Sequence, residues 1–297
     1  MQFRREPLLD ILGWIETQRA PVITFEVLDP DLGGGKYAGE LVEHGGETYV
    51  HRPLRVWLDL AERLGLRMLT PRSRPPIVEL RFERLDPKAR LGTDDDHDPT
   101  ERYGAASSFG RISKLEDPGF VLDLREALGR TNLPDQPRIL DLGVNTGDEL
   151  ALIQRAVPAA RFVGIDHSAS AIAVARERFP AAALHVADLS NTAALGLGRF
   201  DLVVSIGTLQ SPGIDDRELV RRVVQDHLAA DGAVIFGFPN CRYVDGEIEY
   251  GTRMLNYRQP ELGLLVKDVA FYRKYLQQHG RRVFVTGKHY VFVTGAR

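Results

Sequence analysis

Ile139-Leu140-Asp141-Leu142-Gly143-Val144-Asn145-Thr146-Gly147-Asp148-Glu149-Leu150 reads as a strand, a glycine turn and the first turn of a helix. Glycine at such a turn lets the backbone approach a ligand closely, and a helix start offers unpaired N–H groups. The spacing is not the G-x-G-x-x-G of a dinucleotide fingerprint. Gly143 and Gly147 are four apart, Asn145 stands between them, and no glycine follows three later. Asp148 and Glu149 at the helix start would repel a pyrophosphate. Spacing and charge therefore point to a ligand without phosphates, and a positive centre on that ligand suits Asp141.

Outward from this turn the chain keeps a regular rhythm. Strand patterns fall at Arg138–Leu142, Arg161–Ile165, Ala183–Ala187, Phe200–Ser205 and Ala233–Phe238, with helical patterns at 148–157, 168–178 and 215–229. Alternating strands and helices predict βαβ units and a parallel sheet covered on both faces. After a helix around 267–279, Arg281–Thr286 and Tyr290–Thr294 are joined only by Gly287-Lys288-His289. A parallel crossover needs about a dozen residues, so this last pair is antiparallel. The expected fold is α/β, a doubly wound seven-stranded sheet with an antiparallel terminal hairpin. Two further acids end strands: Asp166 closes Phe162-Val163-Gly164-Ile165-Asp166, and Asp188 follows His185-Val186-Ala187. The first is placed to accept both hydroxyls of a ribose, the second an adenine amino group. All three aspartates lie on the carboxyl edge, where open α/β sheets bind ligands. A strand-ending aspartate is also a common helix N-cap, but the glycine turn and the terminal hairpin weigh toward a ligand site.

As a set, LDLGVNTG at 140–147, VGID at 163–166, VADL at 186–189, FDLVVSIGTLQ at 200–210 and the closing hairpin resemble the class I S-adenosylmethionine-dependent methyltransferases, over about 160 residues. The resemblance implies a Rossmann-like fold and S-adenosyl-L-methionine as cofactor. It would put Asp141, Gly143 and Gly147 at the methionine part, Asp166 on the ribose with His167 bordering it, and Asp188 with Leu189 near the adenine. Ser205 and Gly207 would lie beside the sulfonium. Asn145 replaces the family's usual central glycine, and Asn tolerates left-handed backbone better than most residues.

The acceptor is less legible. Ser205-Ile206-Gly207-Thr208 follows the fourth strand where the Asn/Asp-Pro-Pro-aromatic run of base- and glutamine-methylating enzymes would stand. Cys241 is the single cysteine, and a lone cysteine after an apolar strand reads as a core residue before it reads as a nucleophile. An O or N acceptor remains the default, on a small or medium-sized molecule. Between the fifth strand and the next helix about 28 residues are inserted, from Phe238 through Tyr250 to Arg253, Asn256, Tyr257 and Arg258. Loops that long are usually functional. Asn240, Arg242 and Tyr243 are expected on the acceptor, with Tyr243 or Glu247 as the base that assists proton loss. The competing reading is a solvated loop closing on the N-terminal part.

That N-terminal part is irregular. A helical pattern at 6–18, a strand at Val22–Leu28, a hairpin at 37–51 turning on Gly45-Gly46, a helix opened by Pro53 and a strand at 77–85 predict a small α+β domain over 1–90. Residues 91–134 read as a linker and cofactor lid, in which Tyr103, Phe109 and Arg111 touch the ligand, and 135–297 as the cofactor domain. From Arg52 to Arg90 ten Lys and Arg face five acids, a candidate footprint for an RNA of tRNA type. The first 100 residues nonetheless carry a net charge of −4. A protein that binds S-adenosylmethionine without transferring methyl is the third reading. Asp94–Asp98 with His97 reads as a solvated acidic loop, and no metal site is expected.

Composition bounds these readings. The 297 residues suit about two domains, and 43 % hydrophobic with 27 % charged residues excludes disorder and coiled coil as the main architecture. One cysteine allows no disulfide within the chain. Arg4, Arg5, Glu6 and Asp10 interrupt the start as no secretory segment would, and apolar runs are strand-length, so no membrane is expected and a cytoplasmic location is. Oligomeric state is not readable from the sequence.

Overall fold

The computed structural model describes residues 1–91, 101, 103–251 and 262–297. Asp94–Asp98 with His97, and Arg253, Asn256, Tyr257 and Arg258, lie outside the described residues. The chain divides into two units, Met1–Ala89 with Val244–Glu249, and Arg90–Tyr243 with Tyr250–Arg297. No described helix is long and apolar enough to cross a membrane.

In the first unit, apolar side chains recur at helical spacing in α1 (Leu8–Thr17) and alternate along β1 (Val22–Leu28). Next come the hairpin β2 (Leu41–His44) and β3 (Glu47–Val50), then α2 (Leu54–Arg63), β4 (Leu66–Arg74) and β5 (Ile77–Arg84). Gly45 and Gly46 both have positive φ, as a two-residue hairpin turn of this hand requires. An antiparallel sheet, in order β1-β5-β4, buries Ile23, Phe25, Leu80 and Phe82 against Ile11, Ile15 and Trp57. The sequence pattern missed β4. Pro71 sits where its register against β5 shifts, between Leu69 and Arg72, and bulges are where a sheet tolerates proline.

The second unit starts with α3 (Pro118–Gly129), whose first turn is capped by Asp117 accepting from Gly119 N–H at 2.8 Å. There follow β6 (Arg138–Leu142), α4 (Asp148–Ala156), β7 (Arg161–Asp166), α5 (Ala169–Arg178), β8 (Ala183–Val186), β9 (Phe200–Ile206), α6 (Asp216–Arg222) and β10 (Leu228–Pro239). The hairpin β11 (Cys241–Val244) and β12 (Glu247–Tyr250) precedes α7 (Leu262–Gln278), β13 (Arg282–Thr286) and β14 (Tyr290–Ala296). The sheet order is β13-β14-β10-β9-β6-β7-β8. From β8 to β10 the strands are parallel, while β14 runs antiparallel to both β10 and β13. This is the seven-stranded doubly wound sheet with an antiparallel end. Strand order reverses between β6 and β9, which opens a crevice at their carboxyl ends.

Two segments depart from the sequence pattern. The helix expected over 215–229 stops at Arg222, passes through a π turn at Val223–His227 and gives way to β10 at Leu228. The long insertion after β10 starts as a hairpin. Asp245 and Gly246 turn it with positive φ at both positions, an Asp-Gly pair suited to that turn. Its tip, Val244–Glu249, groups with the first unit and not with the rest of 135–297.

Trp57 is 1 % exposed and meets Phe25 edge-on at 5.8 Å. Trp57→Ala is expected to cost about 3–5 kcal/mol in the unfolding transition of the first unit, read by denaturant titration. A cost within about 0.5 kcal/mol, typical of surface positions, would place Trp57 outside the core.

Candidate functional site

The glycine turn after β6 is built for close approach. Gly143 has φ +85°, and a Cβ there would fall 2.0 Å from the Thr208 hydroxyl oxygen. Gly147 has φ +88°, and its Cβ would fall 2.7 Å from the Phe179 ring. Between them Asn145 adopts φ +47° and does more than a glycine would. Its backbone N–H donates to Asp166 Oδ2 at 2.9 Å, its Nδ2 donates to the Tyr103 carbonyl at 2.7 Å, and its Oδ1 accepts from Thr146 N–H at 2.7 Å. Asp166 Oδ1 accepts from Ser168 N–H at 2.9 Å, and His167 Nδ1 lies 3.5 Å away from it. The carboxylate that ends β7 is thereby buried and fixed in orientation.

A cavity of about 530 Å³ opens at the carboxyl edge of the sheet. Gly143, Asn145, Asp166, His167 and Asp188 line it, as do Leu189, Gly207, Tyr103, Phe109 and Tyr243. Asp188 is exposed; the bond from Ser190 N–H at 2.7 Å holds its carboxyl below the usual aspartate range, and nearby His167 adds to this.

Other expected residues stand elsewhere. Asp141 lies behind the wall, 1 % exposed. Gly147 packs on Phe179 and does not face the cavity. Ser205 is wholly buried and donates to the Leu142 carbonyl at 3.1 Å, stitching β9 to β6. Arg111 ends a 3₁₀ turn with its side chain exposed, and Ile112 and Lys114 of the same segment reach the cavity in its place. Asn240 Nδ2 donates to the Lys288 carbonyl at 3.1 Å, and neither Asn240 nor Arg242 lines the cavity. Glu247 belongs to the first unit, where Arg67 Nε donates to it at 2.8 Å. That carboxylate is neutralised by a guanidinium and is not a base in the cavity.

Tyr243 does line the cavity, but burial pushes its phenol pKa up, helped by Cys241 and Asp117. Burial and Asp117 likewise push the Cys241 thiol up to about 12. The shift makes a Tyr243 phenolate harder still to form, which weighs against Tyr243 as the base and leaves both groups as hydrogen-bond donors at neutral pH.

The sequence reading missed the acids' counter-charge. Asp148 Oδ2 accepts from Ser113 Oγ at 3.0 Å and from Lys114 N–H at 3.1 Å, while Oδ1 accepts from Arg178 at 3.0 Å. Glu149, 1 % exposed, pairs with the Lys114 ammonium, and its second oxygen has no partner among the described residues. Burial would lower the Lys114 pKa, but Glu149, Asp141 and Asp148 outweigh it and raise the pKa above the ordinary lysine value. Both Asp141 oxygens are buried without a hydrogen-bond partner among the described residues. Burial first, then Glu149 and Asp166, push its carboxyl well above the ordinary aspartate value, against the pull of Lys114. Glu101 also escaped notice. It accepts from the hydroxyls of Ser168, at 2.9 Å, and Ser170, fastening its segment to the start of α5. No local pattern signals these pairs, whose members lie 30 to 69 residues apart.

Two outcomes follow. Gly143→Ala forces a Cβ into Thr208 and strains a positive φ, so affinity for S-adenosylhomocysteine is expected to fall at least about tenfold by calorimetry, with the circular dichroism of the fold kept. Undiminished affinity would remove this turn from the site. Because the folded-state pKa of Asp141 is raised, its contribution to stability is full below 3.8 and is lost as pH rises through the folded value. Asp141→Asn removes that loss. The variant should match the parent at low pH and gain on it as pH climbs above 3.8, and parallel pH curves would contradict the assignment.

Residues 140–234 match the family described as Methyltransferase domain. Trans-aconitate 2-methyltransferase of Variovorax paradoxus is 32 % identical over 118 residues, 40 % of this chain and 44 % of that protein. Release factor glutamine methyltransferase of Caulobacter vibrioides is 43 % identical over 104 residues, 32 % of this chain and 34 % of that one. The chain thus spans less than half the length of these relatives. Among solved structures, a TehB-like SAM-dependent methyltransferase from Corynebacterium glutamicum is 20 % identical with a TM-score of 0.40, over 59 % of this chain and 85 % of that one. The strand order, the glycine turn and the strand-end acids fall within or beside 140–234, the segment that is similar to a methyltransferase domain.

Proposed function

We propose that the chain is an S-adenosylmethionine-dependent methyltransferase acting on an O or N atom of a small or medium-sized molecule. The observation that carries this reading is a single cavity on which Gly143, Asn145, Asp166 and Asp188 converge at the strand-order reversal. The donor set fits the cofactor. Glu149 keeps a buried carboxylate oxygen without a described partner on a wall that also carries Asp148, Asp166 and Asp188, as suits a ligand with a fixed positive charge. Asp166 would hold the ribose and Asp188 the adenine edge, while the Gly143 backbone and Glu149 would hold the methionine part. When bound, S-adenosylmethionine supplies an electrophilic methyl group on a sulfonium.

The chain's own part is then mainly alignment, which by itself is worth a large share of the acceleration of a two-substrate reaction. Asn145 positions Asp166 and the Tyr103 segment together, and Tyr103, Phe109, Ile112 and Lys114 of that segment line the cavity. Tyr243 and Cys241 offer hydrogen-bond donors at the acceptor end. An RNA acceptor is not favoured. Arg52 donates to the Glu6 carbonyl, Arg84 to the Gln18 carbonyl, and Arg55, Arg67, Arg72 and Arg74 all pair with acids.

Calorimetric titration with S-adenosylmethionine and, separately, NADH tests the reading. S-adenosylmethionine alone is expected to bind, and Asp166→Ala should weaken it about tenfold or more, because a charge-assisted hydrogen bond is worth about 1.5–3 kcal/mol. NADH binding, or an affinity unmoved in the variant, would overturn it.

A further inference from the structure

Pro212 and Ile214 from the loop after β9, Pro239, Cys241 and Tyr243 at the β10–β11 junction, and Tyr290 at the start of β14 share one stretch of the cavity wall. They present apolar and aromatic surface, two phenols and one thiol, and no formal charge. Cys241 and Tyr243 keep their protons at neutral pH. Among the described wall residues, Lys114 is the permanent cation and His167 the titratable one. Lys114 is taken by Glu149, and His167 stands 3.5 Å from Asp166. The remaining charges on the wall, Asp148, Glu149, Asp166 and Asp188, are all acids. A polycarboxylate entering here would shed hydration from several like charges with no described cation to replace it, in a field of the same sign. An uncharged ring would bury apolar area against prolines and stack on tyrosines, with the phenol and thiol protons left to orient its heteroatom.

We propose that the acceptor is an uncharged, largely apolar, ring-bearing molecule with a hydroxyl or amine nucleophile, and not a polycarboxylate; this rests on S-adenosylmethionine being the methyl donor. The acceptor oxygen or nitrogen bonds the methyl carbon, the carbon–sulfur electron pair stays on sulfur, and the acceptor proton leaves to solvent. The match to the methyltransferase family covers 140–234, which includes Pro212 and Ile214 but not Pro239, Cys241, Tyr243 and Tyr290.

The test uses the full chain. Calorimetry with S-adenosylhomocysteine comes first, and its failure to bind overturns the donor reading and the inference with it. The saturated complex is then titrated with 2-naphthol and with trans-aconitate, a tricarboxylate. Binding of 2-naphthol is expected, with its affinity at least about fivefold weaker in Ile214→Lys, which sets a charge in the apolar wall, and no saturable binding of trans-aconitate. Pro212→Lys, at an exposed wall position, is the second variant should Ile214→Lys fail to fold. Saturable trans-aconitate binding without 2-naphthol binding overturns the inference, as does a 2-naphthol affinity unmoved by both substitutions.

Discussion

One partly buried ammonium ties the acids of the site together. Lys114 sits with Glu149, Asp141 and Asp148, three acids that lie within two residues of the glycine turn in sequence. Removing one partner of a buried ion pair typically costs about 3–5 kcal/mol, because the charge left behind is neither hydrated nor neutralised. Asp141 already bears part of that cost, since burial and neighbouring acids push its carboxyl up. The segment carrying Lys114 therefore cannot leave the turn without exposing or protonating acids. A fixed positive charge on a ligand is the natural complement to such a set.

The same economy governs the rest of the cavity. Asn145 stands where only a left-handed backbone fits, and its side chain ties the turn to the Tyr103 carbonyl. Glu101 fastens to the hydroxyls of Ser168 and Ser170, next to the aspartate that ends β7. The loops after β6 and β7 thus share hydrogen bonds with the segment of Glu101 and Tyr103. Charged and hydroxyl side chains do this where apolar packing could not, because the cavity between them must stay open to a polar ligand. In the first unit Arg67 contacts Glu83, Asp245 and Glu247, and this is what draws Glu247 out of any catalytic role.

Much of the fold was legible because it rests on local periodicity. The five parallel strands announced themselves as apolar runs between helical patterns, and three residues between β13 and β14 left antiparallel pairing as the single option. β4 was hidden by Pro71 and its arginines, and the hairpin after β10 by the habit of reading polar stretches as loops, although Asp245-Gly246 was a turn signal in plain view. Within the site, Gly143, Asp166, Asp188 and Gly207 line the cavity from positions that follow from a strand end, and Tyr103, Phe109 and Tyr243 line it from segments outside the parallel strands. Arg111 and Glu247 were chosen for chemistry alone, and neither reaches the cavity.

The sequence by itself determined the sheet, its direction reversals and the carboxyl edge on which acids and glycines gather, since strand, turn and helix patterns are properties of short segments. Tertiary structure alone decided charge states and company. Lys114 and Glu149 meet across 35 positions, Arg67 and Glu247 across 180, and burial by other parts of the chain pushes the Cys241 thiol and the Tyr243 phenol up. Pairing and desolvation depend on what surrounds a group in space, and no local pattern encodes that.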